Sequence, residues 1–532
     1  MKQPIFVANF DTETNLFEVR DYDCSKAAES LTLTQFTEFV DNCKKNTKIF
    51  INSVNVVASF FPNGEIDGVK DSKDKDGKEY IQYKYNNVTF KSFTVLCPNN
   101  HSAKNYMDLF NVETKTEAMI KYIEFLGGTK RLSKTLASYA KKKFYKDKAE
   151  ILWLHQKKNK VYINTLDEFK MLHAGCKAGL LSHPKKMCRV KNVFEADLKS
   201  AYSSVFVTDD KFPTGKPRFT DNKSVLFEKL KNKENVKVVF NKKIDELDFT
   251  DEYGISFYDE FNKMTALELY DIYFCQLLKV DIAKIINENE CTIIYYDKTG
   301  YLHPLVRNGL IDLFDKKNKL SKTDPERDIV KAQLECLYGK AIQKHYDWKS
   351  DDDVVRFFRR RGENYIQPQM ANHASAYIRY QLLKAKITLG DDVVYFDTDG
   401  LKAKDNEITR AYFNKQNELI MQKNKKAGCT NDIGTFEMTE VYDEFVAVSP
   451  KIYVYRQNGE INITAAGMDD KSKEICMYYY RSFGIKDEQI IKAIVYFGFV
   501  FVLKTLAKVE NGVELFYTPT IIGKENENEC IA

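Results

Sequence analysis

Two acids bracket a threonine at Asp397-Thr398-Asp399, where the apolar run Val393-Val394-Tyr395-Phe396 turns through Gly400 and returns through Leu401 and Ala403. The pattern predicts two short strands joined by a tight turn, with carboxylates at the tip. Acids held together beside a low-dielectric interior repel one another, and a bound cation relieves that cost. A magnesium-type ion suits carboxylate oxygens. The plain alternative is a solvated Asp-Thr-Asp-Gly turn. A second strand, Val193-Phe194-Glu195-Ala196, delivers Asp197 in a matching setting far upstream. If the two strand ends are neighbours, Asp197 and Asp399 can bridge two Mg2+ ions, with Mn2+ as a substitute. That pair clamps the attacking and leaving oxygens in phosphoryl transfer.

Other segments must position these acids. Residues 4 to 10 predict a first strand running into Asp11-Thr12-Glu13, whose acids at i and i+2 point to one side, as at the start of a metal-dependent nuclease. A helix fits Leu33 to Cys43, and a strand fits Lys48 to Asn52. Residues 63 to 85 are charged and contain glycine, which predicts an exposed hairpin or loop. From Ser133 to Lys160 basic and aromatic residues interleave, including Lys141, Lys142, Lys143, Phe144, Tyr145 and Trp153. Cations neutralise phosphates and rings stack on bases, although a solvated helix face over an aromatic core fits equally well. Residues 311 to 344 predict two helices, the second opened by Pro325 after a capping Asp324. Lys319 lies on the first helix. Lys331 and Tyr338, about two turns apart, share a face of the second, a layout suited to a triphosphate and a base. A further helix fits Asn372 to Leu389, and Lys451, Tyr453 and Tyr455 share a side of a strand.

The chain of 532 residues is long enough for several domains. Its apolar fraction of 43% excludes a disordered protein, and a net charge of +5 confines any nucleic-acid attraction to local clusters such as Lys185, Lys186, Arg189 and Lys191. Eleven cysteines without a C-x-x-C pair argue against structural zinc and disulfides. With neither a leader nor a membrane-length apolar run, the expectation is a soluble, cytoplasmic protein, in the host cytoplasm if phage- or plasmid-encoded.

Taken in order, four elements resemble those of family B DNA polymerases, most closely the protein-primed group of small phages and linear plasmids. Asp197-Leu-Lys-Ser200-Ala-Tyr202 is similar to D-x-x-S-L-Y, and Lys331-Ala-Gln-Leu-Glu-Cys-Leu-Tyr338-Gly339 to K-x-x-x-N-S-x-Y-G. Tyr395-Phe-Asp397-Thr-Asp399-Gly400 is similar to Y-x-D-T-D-S, and Lys451-x-Tyr453 to K-x-Y. The resemblance implies an α+β multidomain fold, a right-hand polymerase of palm, fingers and thumb preceded by an RNase H-like exonuclease-type domain. The boundaries it suggests are 1–130 for the exonuclease-like domain, 131–190 for a basic and aromatic connection, and 191–260 for the first part of the palm. An insertion at 261–310 contacting a terminal protein, fingers at 311–345, the second part of the palm at 346–455, and thumb and C-terminal region at 456–532 complete the series. It implies metal ligation by Asp197, Asp399 and the Leu198 carbonyl, with Asp397 in support. Nucleotide contacts would come from Ser200, Tyr202, Lys319, Lys331 and Tyr338, Tyr202 excluding a 2′-hydroxyl. Lys451 and Tyr453 would hold the primer. The implied partners are primer-template DNA, deoxynucleoside triphosphates and a terminal protein offering a hydroxyl, with no membrane.

The sequence also departs from the family. Glu335-Cys336 replaces Asn-Ser, Gly400 replaces serine, and Ala178-Gly179 stands where relatives carry a Tyr-x-Gly-Gly-like element. In the exonuclease-type part Asp11, Glu13 and Asn52 match, but Val56 stands where an acid is expected, and Val112 and Thr116 are the best alignment of a Tyr-x-x-x-Asp helix. Without two of four acids, proofreading is expected to be lost. Two other functions fit the same residues: untemplated or error-prone DNA synthesis by the same site, and a non-catalytic, polymerase-derived nucleic-acid-binding protein.

Overall fold

The computed structural model describes residues 5–465, apart from 12–13, 23–28, 53, 67–68, 72–77, 98–102, 129–134, 178, 183–187, 322, 346–347 and 359–362, together with the short strands Val509–Glu510 and Val513–Glu514. It divides into two compact units, Met1–Lys148 with Asp312–Lys340, and Ala149–Ile311 with Ala341–Ala532.

The first unit is built on a seven-stranded sheet in the order Glu29–Leu31, Leu16–Asp21, Ile5–Asp11, Thr47–Ile51, Val88–Ser92, Gln82–Tyr85, Glu65–Ile66. The pairs of Thr47–Ile51 with Ile5–Asp11 and with Val88–Ser92 are parallel, and the other pairs are antiparallel. Alternation along the strands sends Ala8, Phe17, Ile49 and Ile51 to one face, under the helices Leu33–Asp41 and Val54–Phe60. Val7 and Phe50 go to the other, under Ala103–Phe110 and Lys115–Phe125. Helix Leu33–Asp41 starts where a capping box forms between Thr32 and Gln35. Of the exposed hairpin or loop expected over 63–85, the antiparallel pair Val69–Asp71 with Lys78–Tyr80 forms, but the range also holds Gln82–Tyr85, a strand of this sheet. Tyr83 is buried, its hydroxyl donating to the Phe61 carbonyl. The charged residues flanking that strand conceal its period.

Helix Pro325–Ala341 begins as expected, the Asp324 carboxylate accepting from the Glu326 N–H at 2.8 Å, and its Ile329 joins the core of the first unit. The helix before it, Pro304–Lys319, starts seven residues earlier than residue 311, because Pro304 is a natural first helical residue.

The second unit is organised by an eight-stranded antiparallel sheet. Its path runs Leu180–Leu181, Val393–Thr398, Gly400–Lys404, Cys188–Leu198, Tyr442–Ser449, Ile452–Gln457, Glu460–Ala465, with Phe436–Met438 also pairing with Cys188–Leu198. One face buries Val193, Tyr395, Tyr442, Phe445 and Tyr453. Phe194 on the other packs edge-to-face with Phe413 of helix Glu407–Lys426. A separate five-stranded sheet spans Pro217–Thr220 to Thr292–Tyr296, beginning upstream of residue 261. The strands Ile452–Gln457 and Glu460–Ala465 extend the main sheet, so residues 456–465 belong to it rather than to a thumb. Most of the expected thumb, 466–508 and 515–532, lies outside the described residues.

Helix Pro368–Leu389 opens on a proline and ends at Gly390, whose φ of +57° suits glycine. It packs on the helices Leu269–Leu277 and Ala201–Thr208. Beneath it Arg379 and Asp271 form a fully buried pair at 2.7 Å, and Lys237 and Glu268 another at 2.9 Å. Among the described residues, no helix is long and apolar enough to cross a membrane.

Candidate active site

The hairpin Val393–Thr398/Gly400–Lys404 forms where the sequence predicts it. Register places Asp397 opposite Gly400 and Gly400 opposite Asp197, so one row across three strands carries an acid, a glycine and an acid. Paired residues share a face, so both carboxylates project to the same side. Asp399 closes the turn, with Thr398 in the left-handed region at φ +69°. The Asp399 N–H donates to the Asp397 carbonyl at 2.9 Å, and its own carbonyl accepts from the Leu198 N–H at 3.3 Å. The turn is thereby stitched to the strand end that bears Asp197. Gly400 is needed for this closeness, because a Cβ there would lie 2.6 Å from Asp197 Oδ1.

The crowding has an electrostatic signature. Burial, then the neighbouring charges of Asp399 and Glu195, push the Asp197 carboxyl up to about 7. Asp397 is paired with Lys451, Nζ to Oδ1 at 3.2 Å, and Lys451 donates its N–H to the Tyr395 hydroxyl at 2.7 Å. Among the described residues no three His, Cys, Asp or Glu side chains converge into a ready-made metal cage. Two carboxylates and a main-chain carbonyl nevertheless fit a magnesium-type ion, which takes one or two carboxylates and completes its shell with water and substrate phosphate.

A clamp holds the hairpin from its outer edge. Strand Leu180–Leu181 pairs with Thr398 and Asp397, and the Ser182 hydroxyl accepts from the Phe396 N–H at 2.7 Å. Gly179 lies against the turn so closely that a Cβ would sit 1.6 Å from the Thr398 carbonyl oxygen. Upstream, Lys237 donates to the carbonyls of Leu172 and Ala174 at 2.9 and 2.5 Å. Asn372 reaches those of Leu172, His173 and Ala174, each at 3.1 Å, and Arg379 that of Lys177 at 2.9 Å. The loose match at Ala178-Gly179 thus retains the glycine that contacts the turn bearing Asp399, while Ala178 lies outside the described residues.

Ser200, at φ +51°, starts helix Ala201–Thr208, which carries the half-buried Tyr202. Lys451 sits not in a strand but at a turn with φ +60°, one residue before Ile452–Gln457. Tyr453 is buried in the sheet face, packed on Tyr395 and Phe445. Lys319, Lys331 and Tyr338 belong to the first unit, where Lys331 is exposed and faces Glu335 one turn on at 3.9 Å. Lys141, Lys142 and Lys143 lie on helix Leu136–Tyr145, the latter two exposed, whereas Phe144 and Tyr145 are buried and cannot stack on bases.

In the exonuclease-type sheet Asp11 ends its strand and Asn52 follows the parallel neighbour, while Glu13 lies outside the described residues. Asn52 Oδ1 is buried and accepts no hydrogen bond. Thr116 is fully buried, and its hydroxyl donates to Glu18 Oε1 at 2.6 Å. Val56 lies on helix Val54–Phe60, and Val112 packs on the core.

The sequence reading overlooked Glu18, Glu195, Lys402 and Tyr442. Glu195 and Lys402 lie two residues from Asp197 and Gly400, so strand parity alone places them on the face that carries Asp197 and Asp397.

No family model and no curated protein matches the chain. Solved structures do. The chain is similar to phi29 DNA polymerase complexed with primer-template DNA and incoming nucleotide substrates, with a TM-score of 0.59 at 13% identity over 89% of this chain and 94% of that one. The post-translocation binary complex with primer-template DNA gives 0.59 at 12% over the same shares, and the complex with single-stranded DNA 0.57 at 13% over the same shares. The fold is that of phi29 DNA polymerase. The α+β, right-hand architecture with an RNase H-like exonuclease-type domain is therefore the fold of this chain.

Proposed function

We propose that the protein is a DNA-directed DNA polymerase that extends a primer 3′ end by nucleotidyl transfer. The observation that carries this reading is the meeting of Asp197 and Asp399 at adjoining strand ends of the eight-stranded sheet, which we read as the palm, with the Asp197 carboxyl held at about 7. The fold shared with a polymerase bound to primer-template DNA and nucleotides supports it. Mg2+ held by Asp197, Asp399 and the Leu198 carbonyl would supply a Lewis acid for the primer hydroxyl and the phosphate. The chain's own residues would do the rest. Tyr202 would exclude a 2′-hydroxyl, Lys331 with Lys319 would neutralise the triphosphate, and Tyr338 would pack on the nascent base pair. Lys451 would exchange Asp397 for a primer phosphate, and Lys141, Lys142 and Lys143 would take further phosphates. Tyr453 would act through the sheet rather than on DNA.

Proofreading is proposed to be lost, since Thr116 and Val56 supply no carboxylate to Asp11 and Asn52. Initiation from a protein hydroxyl forms the second part of the proposal, with the five-stranded sheet as the surface for a terminal protein. Labelled deoxynucleotide incorporation on a primed template with Mg2+, with Asp399→Asn as control, tests the main reading. Full activity in that variant would rule it out.

A further inference from the structure

Behind the row of Asp197, Gly400 and Asp397 the palm carries a second row in the same register, Glu195, Lys402 and Tyr395. Lys402 has no solvent-exposed side-chain surface, yet its Nζ lies 2.6 Å from Glu195 Oε1. The Tyr442 hydroxyl donates to the second Glu195 oxygen at 3.0 Å, and the ammonium stands 4.8 Å over the Tyr453 ring. A lysine with no exposed surface, paired with a carboxylate that is only 25% exposed, is an expensive way to fill a sheet face that apolar residues would fill at least as well. Stability therefore gives no reason for it, but its position does. Two residues along a strand is roughly 7 Å, and residues two apart share a face, so the Lys402 charge lies one step behind the catalytic acids. It is a lasting charge: burial alone would drive the proton off, but Tyr453 and the Glu195 carboxylate more than offset this. The other charges around the row are Glu437, opposite Asp197, and Lys451 on Asp397.

We propose that Lys402, clasped by Glu195 and Tyr442, is a resident counter-ion of the catalytic row that sets how tightly the row takes up divalent cations. It is a positioning residue, and the inference rests on the reading of Asp197 and Asp399 as metal ligands. Removing Lys402 leaves Glu195 as an added negative charge beside the row, whereas removing the Glu195 charge leaves an uncompensated cation. Removing both restores the formal balance. Charge and structural damage therefore predict different patterns, because damage weakens binding in either single variant.

The test is Mn2+ binding to the full-length protein without DNA, followed by loss of the free-ion electron paramagnetic resonance signal. Asp399→Asn identifies the site, and thermal melts confirm folding. Lys402→Met is expected to bind Mn2+ about tenfold more tightly and Glu195→Gln about tenfold more weakly, with the double variant near wild type. Unchanged affinities, or weakening in both single variants, would overturn the proposal. Should Lys402→Met fail to fold, Lys402→Gln takes its place, with the same tightening expected and an unchanged or weakened affinity overturning the proposal. A wild-type protein that binds no Mn2+ at Asp399 removes the metal-site reading as well, while binding that ignores Lys402 and Glu195 removes this inference only.

Discussion

The chain carries two sheets that both end strands in acids, and they have been treated very differently. In the eight-stranded sheet the acid-bearing strands converge, glycines at 179 and 400 allow the approach, and charge is packed into the interior around them. Among the described residues the fully buried ion pairs, Lys237–Glu268 and Arg379–Asp271, lie in that unit. In the exonuclease-type sheet the strand ends hold Asp11 and Asn52, but the supporting positions are hydroxyl or apolar, and the core is largely aromatic, as in the stack of Phe17 on Phe36. The hydrophobic alternation that builds a sheet survives without its chemistry, because a fold rests on many apolar positions and a metal site on two or three acids.

Asp399→Asn makes the sharpest break between the two. Primer extension should fall by more than about a hundredfold while the melting temperature holds or rises, since a repelling charge has gone. A proportional loss of stability would instead make Asp399 a structural residue.

Arg379→Ala comes next, expected to cost about 3–5 kcal/mol in urea unfolding because Asp271 is left buried without its guanidinium. Exchange of the pair for Met and Leu should recover most of that. Neither change should matter much if the palm's charges are as dispensable as those of the exonuclease-type sheet.

Acid provides a gentler probe. Burial works against the Asp209 carboxylate, but hydrogen bonds and charge from His373 and Lys423 outweigh it and hold its pKa well below the usual range. Between the folded value and about 3.9 the unfolded chain binds the extra proton. The stabilisation is thus complete above about pH 4 and disappears as pH falls below it. The urea midpoint should drop from pH 5 to pH 3, and His373→Gln should flatten that drop.

The smallest expected effect is none at all. Asp11→Asn should leave degradation of a 3′-labelled primer unchanged at background. Mg2+-dependent degradation that the variant abolishes would show that the exonuclease-type sheet is not the inert counterpart described above.

Much of the candidate site was legible because its signals are local. The run before Asp397, the strand before Asp197 and the proline after Asp324 each announce an element within a few residues. What escaped depends on pairing across long stretches of chain. Glu195 and Lys402 acquire meaning only when their strands are placed side by side, and strand Gln82–Tyr85 reads as part of an exposed hairpin or loop until its neighbours bury Tyr83. Lys451 looked like a strand residue because its apolar neighbours alternate, yet a positive φ puts it in the turn where it can reach Asp397. The grouping of Asp312–Lys340 with the N-terminal unit was beyond any periodicity argument.

The carbonyl grip on residues 172–177 has a practical side. Since Gly179 rests on the turn that bears Asp399, the approach to it from Thr165 onward, including the Thr165-capped helix Leu166–His173, serves as a footing for the hairpin rather than as a tether. Anyone trimming the protein to isolate the second unit must cut ahead of that helix, or lose the floor on which the acids stand.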